Sequence, residues 1–316
     1  MSEDEFVNLQ RAIDYEGYTW QAGPTVLTAL PAEEQDRRLG LRVVPEEMDR
    51  LAVARAAVAP RAAVFPAGWD WRDVEGTDWT TPIRDQLACG ACVAFATVAV
   101  LEVMLKLHHN DPALQPDLSE AHLFFCGCGD CCDRGWWPTY ALDYAAQQGV
   151  PNESCFPYQD HNMSCSDSCA GWANEAIKAT GWQELLEVGA RKEWLSGRGP
   201  VIGCMAVYRD FYSYAGGVYR HTTGELAGYH AVGVVGYSEN EQAWICKNSW
   251  GPGWGDGGWF KIGYGECMID SQFAMYGVDG VSLPSPEPEP PAPPTPPTPE
   301  PGCNILQRML QALRGS

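Results

Sequence analysis

Residues 86–95 read QLACGACVAF, and the roles given to its two cysteines decide the fold. Cys89 and Cys92 stand three apart. That spacing is open to a metal knuckle, a redox dithiol, part of a disulfide framework, or a nucleophile beside a bridge. The run after Cys92 is small and apolar and stays apolar on most faces to Leu107, which predicts a buried helix over Ala91–Leu107. A thiol in the first turn of a helix has its thiolate favoured by the dipole and the unpaired amides there. Gly90 supplies a tight turn and Ala91 leaves the sulfur accessible. Gln86 offers a neutral N–H to join the backbone N–H of Cys92 in facing a developing oxyanion.

Such a thiol needs a base, and there are 6 histidines. His108 and His109 close the predicted helix, His122 and His161 lie in cysteine-rich sequence, and His221 sits in a glycine-flanked turn. His230 differs, because GYHAVGVVGY (228–237) places it at the head of an apolar strand. The next strand carries WICKNSWGPGWGDGGWF, where Asn248 can fix the imidazole tautomer and Trp250 can shield that hydrogen bond from water.

A chain of 316 residues, 45% hydrophobic with 13 Trp, 13 Tyr and 9 Phe, can pack one bilobal domain or two ordinary ones. The net charge of −20, with no basic cluster, excludes a nucleic-acid groove and an anionic membrane surface. Acidity implies solubility and a mild attraction for cationic substrates. The 13 cysteines crowd between Cys89 and Cys169, as in an oxidised framework. That composition predicts an exported or otherwise oxidising compartment, although MSEDEFVNLQ shows no signal peptide. No membrane span is expected.

Residues 1–64 are polar, with helices expected over Pro31–Gly40 and Pro45–Ala57. From Phe65 the sequence becomes aromatic and glycine-rich, with a further helix at Tyr140–Gln148. After Gly199 come the β-type runs VIGCMAVY, HAVGVVGY, QAWICKN and GWFKIGY. The expectation is an α+β chain of two lobes, mainly helical over 65–180 and mainly β over 181–281. Residues 282–302 form a stiff proline-rich linker. In 303–316, Ile305, Leu306, Met309, Leu310 and Leu313 share one helical face, which predicts a docking peptide for a shell, another protein or a second copy.

The stretches TPIRDQLACGACVAFAT, DLSEAHLFFC, GYHAVGVVGY and CKNSWGPGWGDGGWFKI, with WDWRD at 69–73, resemble the papain family of cysteine peptidases in that family's order, over about residues 66–280. The resemblance implies a two-lobe fold with the active site between a helical lobe and an antiparallel, barrel-like β lobe. It implies Cys92 as nucleophile, His230 as base and then acid, Asn248 as imidazole orienter and Gln86 as oxyanion donor. Peptide or protein substrates would be hydrolysed through a thioester, with no cofactor and no metal. It further implies the bridges Cys89–Cys132 and Cys126–Cys165. Cys128, Cys131, Cys155 and Cys169 are then read as two further disulfides in any of three pairings, against a zinc knuckle or a redox dithiol.

Several positions depart from the family pattern. Val93 replaces a tryptophan, Tyr229 an acidic residue, and Cys267 lacks its usual partner. In Asp133-Arg134-Gly135 only Gly135 keeps the close backbone approach to substrate, and Arg134 suggests an acidic preference. The pocket for the second residue before the scissile bond is expected from Pro138, Cys204, Ala231 and Gln272, and favours a medium hydrophobic side chain. AGPTVLTALPAEEQDRRLG is similar to the later half of a papain-type propeptide, which implies a bacterial-type member with a short pro-segment. Tyr18, Trp20 and Leu27 are expected near or across the cleft, with cleavage between Ala57 and Phe65. Competing readings are a thioester-based ligase and a catalytically silent peptide-binding scaffold.

Overall fold

The computed structural model describes residues 2–58 and 64–284; the proline-rich linker beyond Pro284 and the expected docking peptide lie outside them. Ser2 caps helix α1 (Glu3–Tyr15) reciprocally: its hydroxyl accepts from the Glu5 amide, and its own amide donates to the Glu5 carboxylate. The S-x-x-E signature was there to be read, but this helix was not expected. A short strand β1 (Gln21–Ala22) follows, then α2 (Ala32–Asp36) and α3 (Pro45–Ala57). The helix expected to run to Gly40 stops at Asp36, because the next residues are drawn out by tertiary hydrogen bonds. Leu41 donates to the Tyr229 carbonyl, and Trp136 donates to the Gly40 carbonyl.

From Gly68 the chain builds two packed halves. β2 (Gly68–Asp70) precedes α4 (Cys92–His109), α5 (Pro138–Gln147), β3 (Lys178–Leu185) and α6 (Val188–Gly197). The remaining strands are β4 (Val201–Tyr208), β5 (Tyr214–Gly216), β6 (Val218–Tyr219), β7 (Leu226–Ser238), β8 (Ala243–Lys247), β9 (Trp259–Gly263) and β10 (Met275–Ser282). The main sheet runs β3-β10-β4-β7-β8-β9-β6, with β2 added to β7. Its pairs are antiparallel apart from β6 with β9. β1 pairs with β5, stitching the N-terminal segment to the β half.

α4 organises the helical half. Its length and apolarity would suffice to cross a membrane, contrary to the expectation of no such run, yet 78% of it is buried inside the protein. It ends at Asn110, whose left-handed backbone (φ 49°) lets its amide reach the last carbonyls. Lys106, His108 and His109 fill the last turn, where the dipole favours positive charge. Two charged side chains go inside with this helix and both are satisfied. Glu102 accepts from Thr81 Oγ1 at 2.6 Å and from the Leu118 amide at 3.1 Å, and Lys106 donates to the Thr80 carbonyl at 2.7 Å.

Behind α4, a short π-helical turn at His122–Cys126 buries His122 completely, with its ring 4.2 Å from that of Trp172. Neither ring nitrogen has a partner, and burial pushes the imidazole down to about 4. A histidine whose folded value is depressed contributes stability above its unfolded value, and that stability is lost as pH falls towards the folded one. Thermal unfolding followed from pH 7 to pH 4 should therefore show a smaller acid-induced drop in Tm for His122→Leu than for the unmutated chain. Parallel curves would remove His122 from the acid sensitivity.

Candidate active site

Cys92 is the first residue of α4, and its sulfur is buried. No side chain caps this helix start. The sulfur accepts from the Ala231 amide on β7 at 3.4 Å, and the Gly40 amide of the N-terminal segment lies near enough to favour the thiolate. Beside Ala231, His230 donates from Nε2 to Asn248 Oδ1 at 2.8 Å. That bond fixes the tautomer and leaves Nδ1 without a hydrogen-bond partner. Asn248 Oδ1 also accepts from the Ser249 amide at 2.8 Å, so its orientation is held twice. The Trp250 ring lies 4.7 Å from that of His230, and Trp250 is fully buried, which excludes water from the imidazole–amide bond.

Gln86 is turned so that Oε1 accepts from Ser249 Oγ at 2.7 Å while Nε2 donates to the carbonyls of Cys89 (2.8 Å) and Arg38 (3.0 Å). A carbonyl of the N-terminal segment thus occupies the donor expected to face an oxyanion. The structure brings Gln86, Cys92, His230 and Asn248 to one seam between the halves. Lys247, one residue before Asn248, ties the seam together by donating to Thr81 Oγ1 at 2.7 Å, the same hydroxyl that donates to Glu102 of α4.

The N-terminal segment closes the site. Gly40 lies against Gly90, and a Cβ at Gly40 would fall 1.8 Å from the Gly90 carbonyl oxygen. Gly135 has φ 66°, and a Cβ there would be 2.2 Å from the Gly40 carbonyl oxygen. The residues that cross the nucleophile are therefore Arg38–Leu41. Trp20 and Leu27, expected near or across the cleft, do not cross the nucleophile; they are buried in the apolar cluster of the β half that also holds Trp250. Trp20 stacks near Tyr214, meets Tyr219 edge-on and donates to Thr222, an arrangement that buries the ring and satisfies its N–H.

Under this cover the electrostatics are those of a resting pair. Burial pushes the Cys92 thiol up to about 11 against the pull of the surrounding amides. Burial drives the His230 imidazole down to about 4, with Asn248 opposing and the Arg38 charge adding to it. Burial thus favours the neutral form of each group.

The expected pocket residues divide between buried positions (Pro138, Cys204, Ala231) and an exposed one (Gln272). Leu41 bridges to Trp136 in parallel and is buried in one cluster with Trp136, Trp137, Cys204, Ala231 and Phe273. Cys204 and Ala231 face each other across β4 and β7. Pro138 instead opens α5 beyond two tryptophans, and Gln272 is exposed while Phe273 next to it is buried and packs near Trp137 and Tyr229. Trp136 and Phe273, aromatic residues flanking two of the expected positions, are buried in the same cluster. Arg134 turns back to donate to the Asp130 carbonyl at 2.9 Å, which bends its charge into the turn rather than the cleft.

Disulfides join Cys89 to Cys132, Cys126 to Cys165, Cys128 to Cys131 and Cys155 to Cys169. Cys92, Cys204, Cys246 and Cys267 are free and buried, and Cys303 lies outside the described residues. Cys89 thus bridges while Cys92 keeps its thiol.

An α+β fold with a helix-borne thiol set beside a strand-borne imidazole is the architecture of a cysteine peptidase. The model of the papain family cysteine proteases matches residues 65–277, and the chain belongs to that family. It is 33% identical over 269 residues to the cathepsin B-like CP3 of Giardia intestinalis, covering 80% of this chain and 87% of that protein. It is 30% identical to the cathepsin B-like cysteine proteinase 1 of Haemonchus contortus, covering 69% and 75%. Among solved structures, the digestive procathepsin L2 proteinase of Tenebrio molitor larval midgut matches with a TM-score of 0.70 at 25% identity, over 87% of this chain and 89% of that one. The proCathepsin B S9 of Trypanosoma congolense shares the fold, with a TM-score of 0.72 at 23% identity over 88% and 98%. The protein is a cysteine peptidase made as a zymogen. Nothing in these relatives supports a bacterial type.

The fit at Gly40 gives a direct test of how the cleft is closed. Gly40→Val in the full-length chain should unseat residues 38–41 and raise peptide hydrolysis severalfold before any cleavage, because even a partly relieved overlap costs roughly 1–3 kcal/mol. Unchanged latency, measured as initial rate per mole of folded protein, would place the closure elsewhere.

Proposed function

We propose that the chain is an endopeptidase in which Cys92 attacks the peptide carbonyl, His230 first takes and then returns the proton, Asn248 holds the imidazole, and Gln86 with the Cys92 amide stabilises the oxyanion. The observation that carries this reading is the 2.8 Å bond from His230 Nε2 to Asn248 Oδ1, which leaves Nδ1 unpartnered one residue from the amide that touches the Cys92 sulfur. Attack yields a thioester and releases the amine, which leaves with the proton held by the imidazole. Water, deprotonated by the same imidazole, then cleaves the thioester. Endo-action is supported by the N-terminal segment itself. Its residues 36–42 run from Arg209 and Tyr212 past Cys92 to Trp136, as an extended chain crossing the nucleophile on both sides would.

Residues 1–64 act as the pro-segment and 65–281 as the peptidase. Processing between Ala57 and Phe65 suits the packing, because Phe65 already meets Tyr237 and Lys192 and β2 follows at once. Four disulfides suit an exported or otherwise oxidising compartment. Residues 303–316, on their proline-rich tether, serve as a docking peptide; deleting 284–316 should alter assembly or localisation and leave hydrolysis of short peptides unchanged.

A mixed peptide library, read by mass spectrometry, should show cleavage by the processed enzyme and none by Cys92→Ala. Asn248→Ala should lose on the order of a hundredfold in kcat. Alkylation supplies the pH arm. Because the covered thiol is raised to about 11, iodoacetamide should label Cys92 of the zymogen slowly at neutral pH and faster as pH climbs, whereas the processed enzyme should be labelled quickly at neutral pH. Equal labelling of both forms at neutral pH would contradict the assigned latency.

A further inference from the structure

The N-terminal segment brings an arginine into the seam at a point the mechanism above does not use. Arg38 is only 7% exposed, and its Nη1 donates to Asp85 Oδ1 at 2.6 Å. Its carbonyl is the one held by Gln86 Nε2, so this side chain departs from the backbone unit nearest the oxyanion donor. Asp85 is built in. Its Oδ1 also accepts from the Leu87 amide at 2.9 Å, and Asp85 bridges antiparallel to Trp250, whose ring covers His230. The neighbouring cation, Arg84, is turned away to Asp117, so Arg38 is the one ion-pair partner of Asp85 among the described residues.

The chemistry gives this position a direction. The imidazole delivers its proton to the departing amine, so the residues of the leaving fragment lie on the His230–Trp250 side of Cys92. The acyl fragment lies towards Trp136, where Leu41 is seated. Asp85 belongs to the leaving-group side. Its carboxylate is still 34% exposed with Arg38 in place, so departure of the segment opens a fixed negative charge to whatever enters next. The Nε of Arg38 is buried without a partner, so the grip is through the outer end of the guanidinium. A lysine ammonium can meet the same oxygen.

Resting on the peptidase reading, we propose that Asp85 is a specificity-determining residue which selects Arg or Lys as the residue immediately following the scissile bond. The pro-segment occupies this subsite with Arg38 and thereby keeps it closed to substrate.

The test uses processed enzyme obtained by cleaving the folded full-length chain. Quenched fluorescent peptides carry Leu two residues before the scissile bond and differ only in the residue after it: Arg, Lys, Ala or Glu. The unmutated enzyme should favour Arg over Ala by roughly tenfold in kcat/KM, as suits one charge-assisted hydrogen bond, with Lys close behind and Glu lowest. Asp85→Asn keeps an acceptor for the Leu87 amide, and should bring the Arg-to-Glu ratio to within about twofold of unity. Asp85→Lys should invert it. The ratio is taken within each variant, so a reduced fraction of active enzyme does not affect it. A basic preference that survives in Asp85→Asn, or its absence from the unmutated enzyme, would overturn the assignment while leaving the peptidase intact. No turnover of any peptide by processed enzyme, with Cys92 unreactive to iodoacetamide, would overturn the peptidase reading and this inference with it.

Discussion

The Cys92 sulfur is buried between the sheet, whose Ala231 amide it accepts from, and the N-terminal segment, and the rest of the site is arranged around that contact. Ala231 reaches it from the sheet and Gly40 from the N-terminal segment. A thiol pressed between main chains leaves no room for side chains, which is why glycines meet there: Gly40 against Gly90, and Gly135 over the Gly40 carbonyl. The same tightness removes water, and desolvation is the first cause of both the raised thiol and the lowered imidazole. Latency on this view has two parts. One is steric, a chain in the groove; the other is electrostatic, since the ion pair that attack requires is disfavoured where neither charge can be hydrated.

Around this centre the two halves must keep register to a fraction of an ångström, because the thiol rides on α4 while imidazole and amide ride on β7 and the loop after β8. The Lys247–Thr81–Glu102 chain supplies that register with one hydroxyl serving both sides. Glu102 is buried and raised by desolvation, with Lys247 the leading opposing influence. Removing either charge would leave the other buried without its counterpart, so the seam is held by mutual need. Trp250 adds a lid that no solvent-exposed ring could provide, being fully buried and set at 4.7 Å from His230.

What could be read from sequence follows the range of the interactions involved. Cys92, His230, Asn248 and Gln86 each sit in a local run whose turn, helix start or strand head is written in adjacent residues, so their positions were legible one motif at a time. The helix at Pro45–Ala57 was legible for the same reason, with proline at its first position. α2 was overextended because its last turn is competed away by Tyr229 and Trp136, which lie far along the chain. The partners of Trp20 were not legible, because nothing local marks an indole as bound for Tyr214 and Tyr219. The pocket positions rested on loose spacing alone, with the buried Trp136 and Phe273 standing close to Pro138 and Gln272 in sequence. Near extended backbone a one-residue slip exchanges an inward side chain for an outward one. Disulfide pairing at 128, 131, 155 and 169 was open for a stronger reason, since spacing carries no information on which loops meet.

The pro-segment binds by two kinds of contact that divide the labour. Far from the nucleophile, Leu9, Ile13, Trp20 and Leu27 are buried in the core of the β half, and β1 pairs with β5. These contacts supply non-directional affinity that salt does not weaken. Nearer the nucleophile the contacts are charged, Asp36 with Arg209 and Arg38 with Asp85, and α3 adds Arg50 with Glu184 at the edge of the sheet. Between residues 37 and 55 the arginines at 37, 38, 42, 50 and 55 outnumber Glu46, Glu47 and Asp49, so this stretch is mildly basic in a protein whose net charge is −20. Salt and competing cations therefore loosen the segment first over the active site, while its apolar anchor holds. Opening would then proceed from the cleft outward, and the first part of the groove uncovered would be the part that carries Cys92 and Asp85.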